Sequence, residues 1–537
     1  SDKPSKQWKP YKLAWTEAQF VGCCGRTWLF RKFIALREFI FNSSLLNYRM
    51  PLPCYSNWHR LFTVGECLLF TSLIVISGLY VAAIPTLHWG KGLSGILASI
   101  PAAISITLAT RNSIWTLLFG IPFERALRWH KLCATIGIVL GWCHGYVPTG
   151  IKFHFKRRNR TMIPTEEPPF AVIVNAYMWF AKMKMPLSGL ILAIIMSVFL
   201  VESLWLVRRH LFNGFYYGHI LLTLLVLPFC YLHRTWIMLA GFAFYALDVL
   251  FRTLYLALIR NPKRCTAVAL PGGVVRLTCD KDFLRYSPGQ YVYVMIPKIN
   301  IVEWHPFSLT SSPHQKKATL HIKALGNWSQ NLYRYVSEAK GPVTLTTFIE
   351  GAYGAPEINL DDSEYKLFLL ISGGIGTAPI QSIYQHLAHL SATGQRKIRK
   401  LWFIWCCSEV KMVNALLEED RFMAETSEDQ SFSNEQSNVL EDTSVSKLDI
   451  YLTRAKGKED AAKAEVRDSL QPHLYFGRPN YAQIFEDYLI YATKLGEKRV
   501  AVLCCGPDGI MNRVRALCST KSTDNVSFHF HGEHFEF

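Results

Sequence analysis

Two apolar segments of this chain carry a histidine at each end, and this repeated spacing constrains the fold more than any other feature. In "HKLCATIGIVLGWCH", His130 and His144 are 14 residues apart, and in "HILLTLLVLPFCYLH", His219 and His233 have the same separation. At 3.6 residues per turn this separation is close to four turns, so both histidines lie on one helix face, roughly 21 Å apart. The spacing therefore predicts two helices that each present two imidazoles to one side.

Imidazole in an apolar segment is costly unless its lone pair is used. One such pair is more often a coincidence of locally satisfied histidines, but two matched pairs on helices that run in the same direction are harder to explain in that way. Facing each other, they give an inner couple, His130 with His219, and an outer couple, His144 with His233. Each couple can hold a haem iron from both axial sides. We therefore favour two b-type haems over structural histidines.

The first half of the chain has the composition of a membrane domain. Hydrophobic residues make up 50% of the chain, and the excess lies before about residue 252, in stretches that approach the ~20 residues of a bilayer crossing. We predict six spans, at residues 61–84, 93–109, 130–147, 186–206, 219–233 and 236–251. They define a membrane domain at 61–260, which follows a cytosolic or interfacial segment at 1–60.

The formal net charge of +18 does not indicate nucleic-acid binding, because lysine and arginine lie at span ends and in loops rather than on one amphipathic face. Basic residues beside a lipid bilayer are explained by anionic lipid and by topology. With the soluble half in the cytosol, the connections 110–129 and 207–218 are inner loops, and both carry arginines. The loop 148–185 then faces outward, although its "KFHFKRRNR" conflicts with the positive-inside tendency. We expect an integral protein of the plasma membrane.

The second half alternates strand-like and helical segments of ordinary polarity. "YSPGQYVYVMIP" (286–297) predicts a turn and a strand of a β-rich domain. "KLFLLISGGIGTAPI" (366–380) predicts a buried strand, a Gly-rich turn and a helix start, which together present backbone N–H groups to a phosphate. This fingerprint lacks its third glycine and is a weak signal alone.

Further strands are predicted at 401–407, 448–454 and 499–509, separated by helical stretches. This alternation predicts a parallel α/β sheet. The acidic, Ser-rich stretch 425–446 predicts a disordered insertion between two of these strands. The 14 cysteines form no CxxC pair, which argues against a metal finger or a disulfide framework.

In this order, behind the histidine pairs, these motifs resemble those of the NADPH oxidase and ferric reductase superfamily, and the resemblance covers roughly residues 60 to 537. It implies an α-helical six-span membrane domain with two haems, joined to a ferredoxin-NADP-reductase-like module. That module would contain an FAD-binding β-barrel domain at 261–360 and an NADPH-binding α/β parallel-sheet domain at 361–537.

The flavin assignments follow from two segments and the tail. "EWHPFSLTSSP" is similar to the family's flavin motif, and "HIKALGNWS" resembles its second flavin segment, with Lys323 on a phosphate. The resemblance assigns these residues to FAD: His305, Pro306, Phe307, Ser308, Leu309, Thr310, His321, Lys323, Gly326 and Trp328. The tail "FHFHGEHFEF" is similar to the aromatic ends of NADPH oxidases, where a Glu-x-Phe closes over the flavin. Because Glu536 and Phe537 extend beyond Phe535, the stacking role falls to either Phe535 or Phe537.

"GGIGTAP" and "CGPDG" resemble the family's NADPH segments. They place these residues at the nucleotide: Gly373, Gly374, Gly376, Thr377, Pro379, Cys505, Gly506 and Pro507. "YLTR" and "FGRPN" resemble the stretches whose arginines meet the ribose 2′-phosphate, which points to Arg454 and Arg478. NADPH is then preferred over NADH, because a planar guanidinium fork suits a phosphate.

The implied reaction moves electrons from NADPH through FAD and the two haems to an acceptor outside. Because histidine would fill both axial positions of each iron, the acceptor is reduced at the haem edge, and no residue is nominated as an acid–base catalyst. Our first hypothesis is superoxide production from oxygen, and the alternative is ferric-chelate reduction, for which the basic outer loop would attract anionic chelates. A six-span channel or transporter with a nucleotide-sensing domain is the hypothesis from another class, and the paired histidines argue against it.

Overall fold

The computed structural model describes residues 91–149, 187–254, 262–354, 365–417 and 445–533, apart from short gaps inside these ranges, together with a few positions between 65 and 75 and residue 360. Several predictions lie wholly or almost wholly outside the described residues: the segment 1–60, the span 61–84, the loop 148–185, the insertion 425–446, and Phe535, Glu536 and Phe537. The chain divides into two compact units at Arg252/Thr253.

The first unit is helical. Its described helices are α1 (Lys91–Leu108), α2 (Ile114–Phe119), α3 (Phe123–Thr149), α4 (Leu187–Glu202), α5 (Trp205–His210), α6 (Phe212–Leu232) and α7 (Trp236–Leu250). Helices α1, α3, α4, α6 and α7 lie where five of the six spans are predicted, although α3 begins well before His130. Two helices, Phe212–Leu232 and Trp236–Leu254, are long and apolar enough to cross a membrane, and Ser94–Leu108 and Leu187–Glu202 are shorter apolar helices. The count of six spans stays a prediction.

Small residues allow these helices to approach each other closely. Gly137 of α3 lies against Ala102 of α1, and Gly241 of α7 lies against Ala103, a pattern typical of helices that pack within lipid. The outward faces of α4 and α6 carry large apolar side chains that are more than half exposed, such as Leu190, at 59%, and Leu224, also at 59%. Apolar surface of this kind indicates a lipid or protein environment rather than water.

The second unit begins with a six-stranded antiparallel sheet. Its strands are β1 (Lys263–Leu270), β2 (Val274–Asp280), β3 (Tyr291–Met295), β4 (His305–Ser308), β5 (Lys317–Lys323) and β6 (Val343–Tyr353), in the order β4-β3-β6-β1-β2-β5. An isolated bridge between Leu309 and Leu320, together with the Thr310 N–H donating to the Thr319 carbonyl at 2.8 Å, joins the two edges. The sheet is therefore a closed barrel, as predicted, and helix α8 (Asn327–Glu338) packs its Leu332 into the barrel core.

The parallel-sheet domain follows. Its strands are β7 (Leu367–Gly373), β8 (Lys400–Cys407), β9 (Ser446–Leu452), β10 (Leu474–Phe476), β11 (Arg499–Cys505) and β12 (Ser527–Glu533), in the order β10-β9-β8-β7-β11-β12. Each pairing is parallel, which confirms the prediction. Its helices are α9 (Thr377–Ala392), α10 (Val410–Leu416), α11 (Glu459–Glu465), α12 (Tyr481–Leu495) and α13 (Asp508–Lys521). Every residue of β7 and β8 is buried, because helices cover both faces of the sheet.

One disulfide lies in the barrel. Cys265 of β1 is bonded to Cys279 of the neighbouring strand β2. The prediction from cysteine spacing did not identify this bond, because the two residues are brought together by strand pairing rather than by proximity in sequence. Cys406, Cys407 and Cys504 are free thiols buried in the parallel sheet.

The close approach of α1 and α3 can be tested with two glycines of the same helix. A Cβ added at Gly137 would lie 3.0 Å from the Ala102 backbone nitrogen, whereas at Gly141 it would meet nothing within 4 Å. Overpacking of this kind costs about 1–3 kcal/mol, so Gly137→Ala should lower the midpoint of thermal unfolding in detergent. Gly141→Ala is the matched control and should not lower it. Equal midpoints for the two variants would contradict this packing.

Candidate functional site

The helical unit brings the four predicted histidines together as two couples. The ring centroids of His130 on α3 and His219 on α6 are 6.4 Å apart, and those of His144 and His233 are 6.1 Å apart. The rings of each couple are steeply inclined, at 65° and 75°. Helices α3 and α6 therefore run in the same direction with their histidine faces opposed, which is the arrangement that the spacing of 14 residues predicts.

These distances fit two imidazoles on one iron. A metal–imidazole bond is about 2 Å long, and each ring centre lies about 1 Å behind its coordinating nitrogen, so two axial imidazoles have ring centres about 6 Å apart. Both couples match this separation, and both have helix-borne ligands on opposite sides of a common gap. The histidines present therefore fit the haems that the resemblance implies.

Each imidazole also uses its Nδ1 atom in a contact with a neighbouring helix. His130 Nδ1 lies 2.8 Å from the Ser105 carbonyl oxygen, and His219 Nδ1 lies 2.9 Å from Glu202 Oε1. In the outer couple, His144 Nδ1 is 2.9 Å from the Ser94 hydroxyl, and His233 Nδ1 is 3.4 Å from the hydroxyl of a serine on α4. Contacts at Nδ1 restrict the ring orientation and leave Nε2 as the ring nitrogen available to a metal, as the hydrogen-bond partners of metal-bound histidines do.

The outer couple rests on a repeated Leu-Ser-Gly segment, at 93–95 in α1 and at 187–189 in α4. The serines, Ser94 and Ser188, contact Nδ1 of the outer histidines. The glycines leave space for the imidazole rings. A Cβ at Gly95 would lie 3.2 Å from His144 Cε1, and one at Gly189 would lie 2.6 Å from His233 Cε1. The sequence interpretation missed these partners, although the repeated triplet was a usable signal.

The barrel places the first flavin motif beside the start of α8. The Trp328 ring centroid lies 4.7 Å from that of His305 and 5.7 Å from that of Phe307. Pro306 lies between these two residues on β4, and Gly326 is the N-cap of α8. The side chain of Leu309 is buried in the barrel core, so it would reach a flavin only through its backbone. The two predicted flavin segments are thus adjacent.

Buried polar atoms at this place have unused hydrogen-bonding capacity. Within the part of the chain that the structure describes, the Ser308 and Thr310 hydroxyls and both ring nitrogens of His321 have no hydrogen-bond partner. Burial, with a smaller contribution from Arg276 on the neighbouring strand, lowers the pKa of His321 to about 3. His321 is therefore neutral at physiological pH and can offer a hydrogen bond but no charge. Buried polar groups without partners are rare, and a bound ligand would satisfy them; the residues present fit FAD.

Lys323 has protein partners rather than an open ammonium. Its Nζ donates to the Gly272 carbonyl at 2.5 Å and lies 2.8 Å from Glu409 Oε2. Because Glu409 follows β8, this ion pair joins the barrel to the parallel-sheet domain. These two contacts use two of the three N–H donors of the ammonium, so the predicted contact with a phosphate would use the third.

The predicted nucleotide residues meet at one edge of the parallel sheet. From β7 the chain proceeds to β8, β9 and β10 on one side, and it returns to β11 and β12 on the other. The carboxyl ends of β7 and β11 therefore form a topological switch point, where open α/β sheets bind ligands. Gly373 ends β7, Cys505 ends β11, and Thr377 begins α9 with its hydroxyl buried. Pro379 lies in the first turn of this helix.

Glycine is required here by close backbone approach. A Cβ at Gly376 would lie 2.7 Å from the Cys505 carbonyl oxygen, and one at Gly506 would lie 2.9 Å from the Gly373 backbone nitrogen. Gly374 has a φ of +57°, which favours glycine. Pro507 is the N-cap of α13 and fills the space above Gly373. The two Gly-rich segments therefore form one tight turn pair with a helix N-terminus beside it, and this arrangement fits a pyrophosphate.

Arg454 and Arg478 occupy equivalent positions at the same edge. Leu452, at the end of β9, pairs with Phe476, at the end of β10, and each arginine follows its strand end by two residues. Both side chains are exposed. The structure therefore places two guanidinium groups on neighbouring strand ends, on the side of the sheet that carries Gly373 and Cys505.

Comparisons with known proteins agree with this division of the chain. Residues 94–230 match the family model "Ferric reductase like transmembrane component", residues 259–357 match an FAD-binding domain, and residues 365–519 match the ferric reductase NAD binding domain. With the barrel and the parallel sheet, these matches define a pyridine-nucleotide-dependent flavoprotein joined to a ferric-reductase-like membrane component. The chain belongs to the NADPH oxidase and ferric reductase superfamily of membrane oxidoreductases.

Individual relatives are distant. The chain is 26% identical to a superoxide-generating NADPH oxidase heavy chain of Dictyostelium discoideum over 77% of its own length and 63% of that protein. It is 26% identical to "Putative respiratory burst oxidase homolog protein G" of Arabidopsis thaliana, over 84% of this chain and 60% of the relative. It is 27% identical to "NADPH oxidase 4" of Mus musculus, over 56% of this chain and 51% of that relative. The chain thus spans less than two thirds of the curated relatives it matches.

The tight turn pair generates a test with two glycines of one segment. Gly506→Ala should separate the ends of β7 and β11, because its Cβ would overlap the Gly373 backbone, whereas a Cβ at Gly509 meets nothing within 4 Å. If the cost of overpacking, about 1–3 kcal/mol, falls on the nucleotide site, the Kd for NADP⁺ should increase by about fivefold to roughly 150-fold. Isothermal titration of the full chain measures this Kd. Gly509→Ala is the control, and a Kd that Gly506→Ala leaves unchanged would contradict the predicted site.

Proposed function

We propose that this protein carries electrons from cytosolic NADPH across a membrane to molecular oxygen and thereby produces superoxide. Bound FAD and two b-type haems would supply hydride acceptance, its division into single electrons, and one-electron transfer along the membrane normal. The observation that carries the proposal is the pair of opposed histidine couples on α3 and α6, whose ring spacings of 6.4 and 6.1 Å suit axial ligation.

In this proposal, His130 and His219 would hold the inner haem, and His144 and His233 would hold the outer one. Because both imidazoles of each couple would be engaged by the cofactor, the acceptor would be reduced by electron transfer without binding to the metal. The chain needs no proton donor for this step, and no acid–base residue is assigned to it.

The parallel-sheet domain binds and orients the donor. The turn pair around Gly376 and Gly506 would hold the pyrophosphate, and Arg454 and Arg478 would hold the 2′-phosphate of NADPH. Ser308 and Thr310 of the barrel would bind FAD through their buried hydroxyls, and Phe535 or Phe537 would cover the flavin ring. A cytosolic location of this unit suits its NADPH supply and the arginine-bearing inner loops of the membrane domain, and we assign the protein to the plasma membrane.

Oxygen is the proposed acceptor because the curated relatives include a superoxide-generating NADPH oxidase and respiratory burst oxidases. The second candidate is a ferric chelate, which the basic sequence of the loop 148–185 favours. Both acceptors use the same electron path and differ only in what reaches the outer haem.

The acceptor can be identified by following NADPH consumption by membranes that contain the full chain. We expect oxygen-dependent turnover, with a cytochrome c signal that superoxide dismutase suppresses. The same membranes should reduce ferric citrate slowly without oxygen. Fast anaerobic iron reduction with little aerobic superoxide would assign the protein to the ferric-chelate reductases instead.

The arginine pair predicts the choice of donor. Arg454→Gln and Arg478→Gln should each raise the KM for NADPH by roughly tenfold while changing the KM for NADH little, because a charge-assisted bond to the 2′-phosphate contributes about 1.5–3 kcal/mol. Arg499→Gln, at the start of β11 and on the opposite edge of the sheet, is the control. If both arginine variants keep the wild-type ratio of kcat/KM for NADPH to that for NADH, the assignment is wrong.

A further inference from the structure

The four Nδ1 contacts of the histidine couples are not chemically equivalent. Three of the partners are neutral oxygens: the Ser105 carbonyl and the hydroxyls of Ser94 and Ser188. The fourth is the carboxyl group of Glu202, whose Oε1 lies 2.9 Å from His219 Nδ1. An acidic side chain on an apolar helix is rare and is most often functional, so this difference between the couples requires an explanation.

Glu202 is held close to His219 by its surroundings. Its side chain is 13% exposed at the end of α4. The Phe199 and Phe215 rings pack on the His219 imidazole at centroid distances of 4.8 and 5.4 Å. Gly218 makes room for the carboxyl group, since a Cβ there would lie 3.0 Å from Glu202 Oε2. In such apolar surroundings a hydrogen bond is stronger than it is in water.

We propose that Glu202 is a positioning residue that gives the inner haem a lower reduction potential than the outer haem. This inference rests on the proposed function, in which His219 Nε2 binds the inner iron. With Nε2 on the metal, Nδ1 would carry the ring proton and donate a hydrogen bond to the Glu202 carboxyl group. A carboxylate acceptor makes the imidazole a stronger electron donor and favours the ferric over the ferrous state.

The direction of this effect suits the proposed path. The described Nδ1 contacts of the outer couple are to serine hydroxyls, and one of these contacts is long, at 3.4 Å. A neutral hydroxyl would leave these imidazoles weaker electron donors than the partner of a carboxylate. With the lower potential at the inner couple, electron transfer from the inner to the outer couple would have a favourable free-energy change.

The test is a spectroelectrochemical measurement on the purified full chain with its haems. In the wild-type protein we expect two one-electron waves of different potential. Glu202→Gln keeps the shape of the side chain and replaces the carboxyl group with an amide, which is a weaker acceptor, so the lower wave should move to higher potential while the upper wave stays. Outer-shell partners typically change metal-site equilibria by 10–100-fold. The lower end of that range, about tenfold, corresponds to a shift of about 59 mV for one electron.

Two further variants separate tuning from structural damage. Ser188→Ala removes a neutral partner from the same helix, and it should leave the lower wave in place. Gly218→Ala keeps the carboxyl group but displaces it from His219, so it should raise the lower wave as Glu202→Gln does. Unchanged potentials in Glu202→Gln, equal shifts of both waves, or loss of haem from both Glu202→Gln and Gly218→Ala would overturn the role of Glu202.

The same measurement distinguishes this inference from the function on which it rests. A wild-type protein without haem absorption would contradict the proposed function itself. A wild-type protein with two haems, whose potentials Glu202→Gln leaves unchanged, would contradict only the role of Glu202.

Discussion

The opposition of imidazoles from α3 and α6 is the interaction on which the rest of the helical unit depends. Two histidines on each helix meet their partners at ring distances of 6.4 and 6.1 Å, which requires the helices to run in the same direction and in register over about four turns. A slip of one residue rotates a helix by about 100° and separates both couples at once. The remaining helices of this unit supply the contacts that hold these two in place.

Those contacts come largely from α1 and α4, which support the couples in related ways. Each carries a Leu-Ser-Gly triplet whose serine contacts an outer histidine and whose glycine leaves space for the ring. The two helices differ at the inner couple, where α1 offers the Ser105 carbonyl and α4 offers Glu202. The approximate repetition of two helix pairs therefore gives the two histidine couples similar geometry with chemically different partners. In the second unit, the backbones of Gly373 and Gly506 approach each other closely where the nucleotide site is predicted.

Periodic and local signals in the sequence predicted a large part of this arrangement. The histidine spacing predicted which rings face each other, and the strand–turn–helix pattern at Gly374 and Gly376 predicted the turn that the parallel sheet places at its switch point. Contacts between distant segments were harder to predict. Nothing local indicates that Glu202 reaches His219, that Lys323 is paired with Glu409, or that Cys265 bonds Cys279, because each contact depends on how helices or strands pack. The contact between Glu202 and His219 had one usable sign in the sequence, because Glu202 is an isolated acidic residue in an apolar span.

The haem content of the purified full chain tests the central claim most directly. With both couples intact, we expect two haems per polypeptide with the low-spin ferric spectrum of axial histidine pairs. His233→Ala, which breaks only the outer couple, should lower the ratio to one. A wild-type protein that contains no haem, or a His233→Ala variant that keeps two, would contradict the assignment of these histidines as haem ligands.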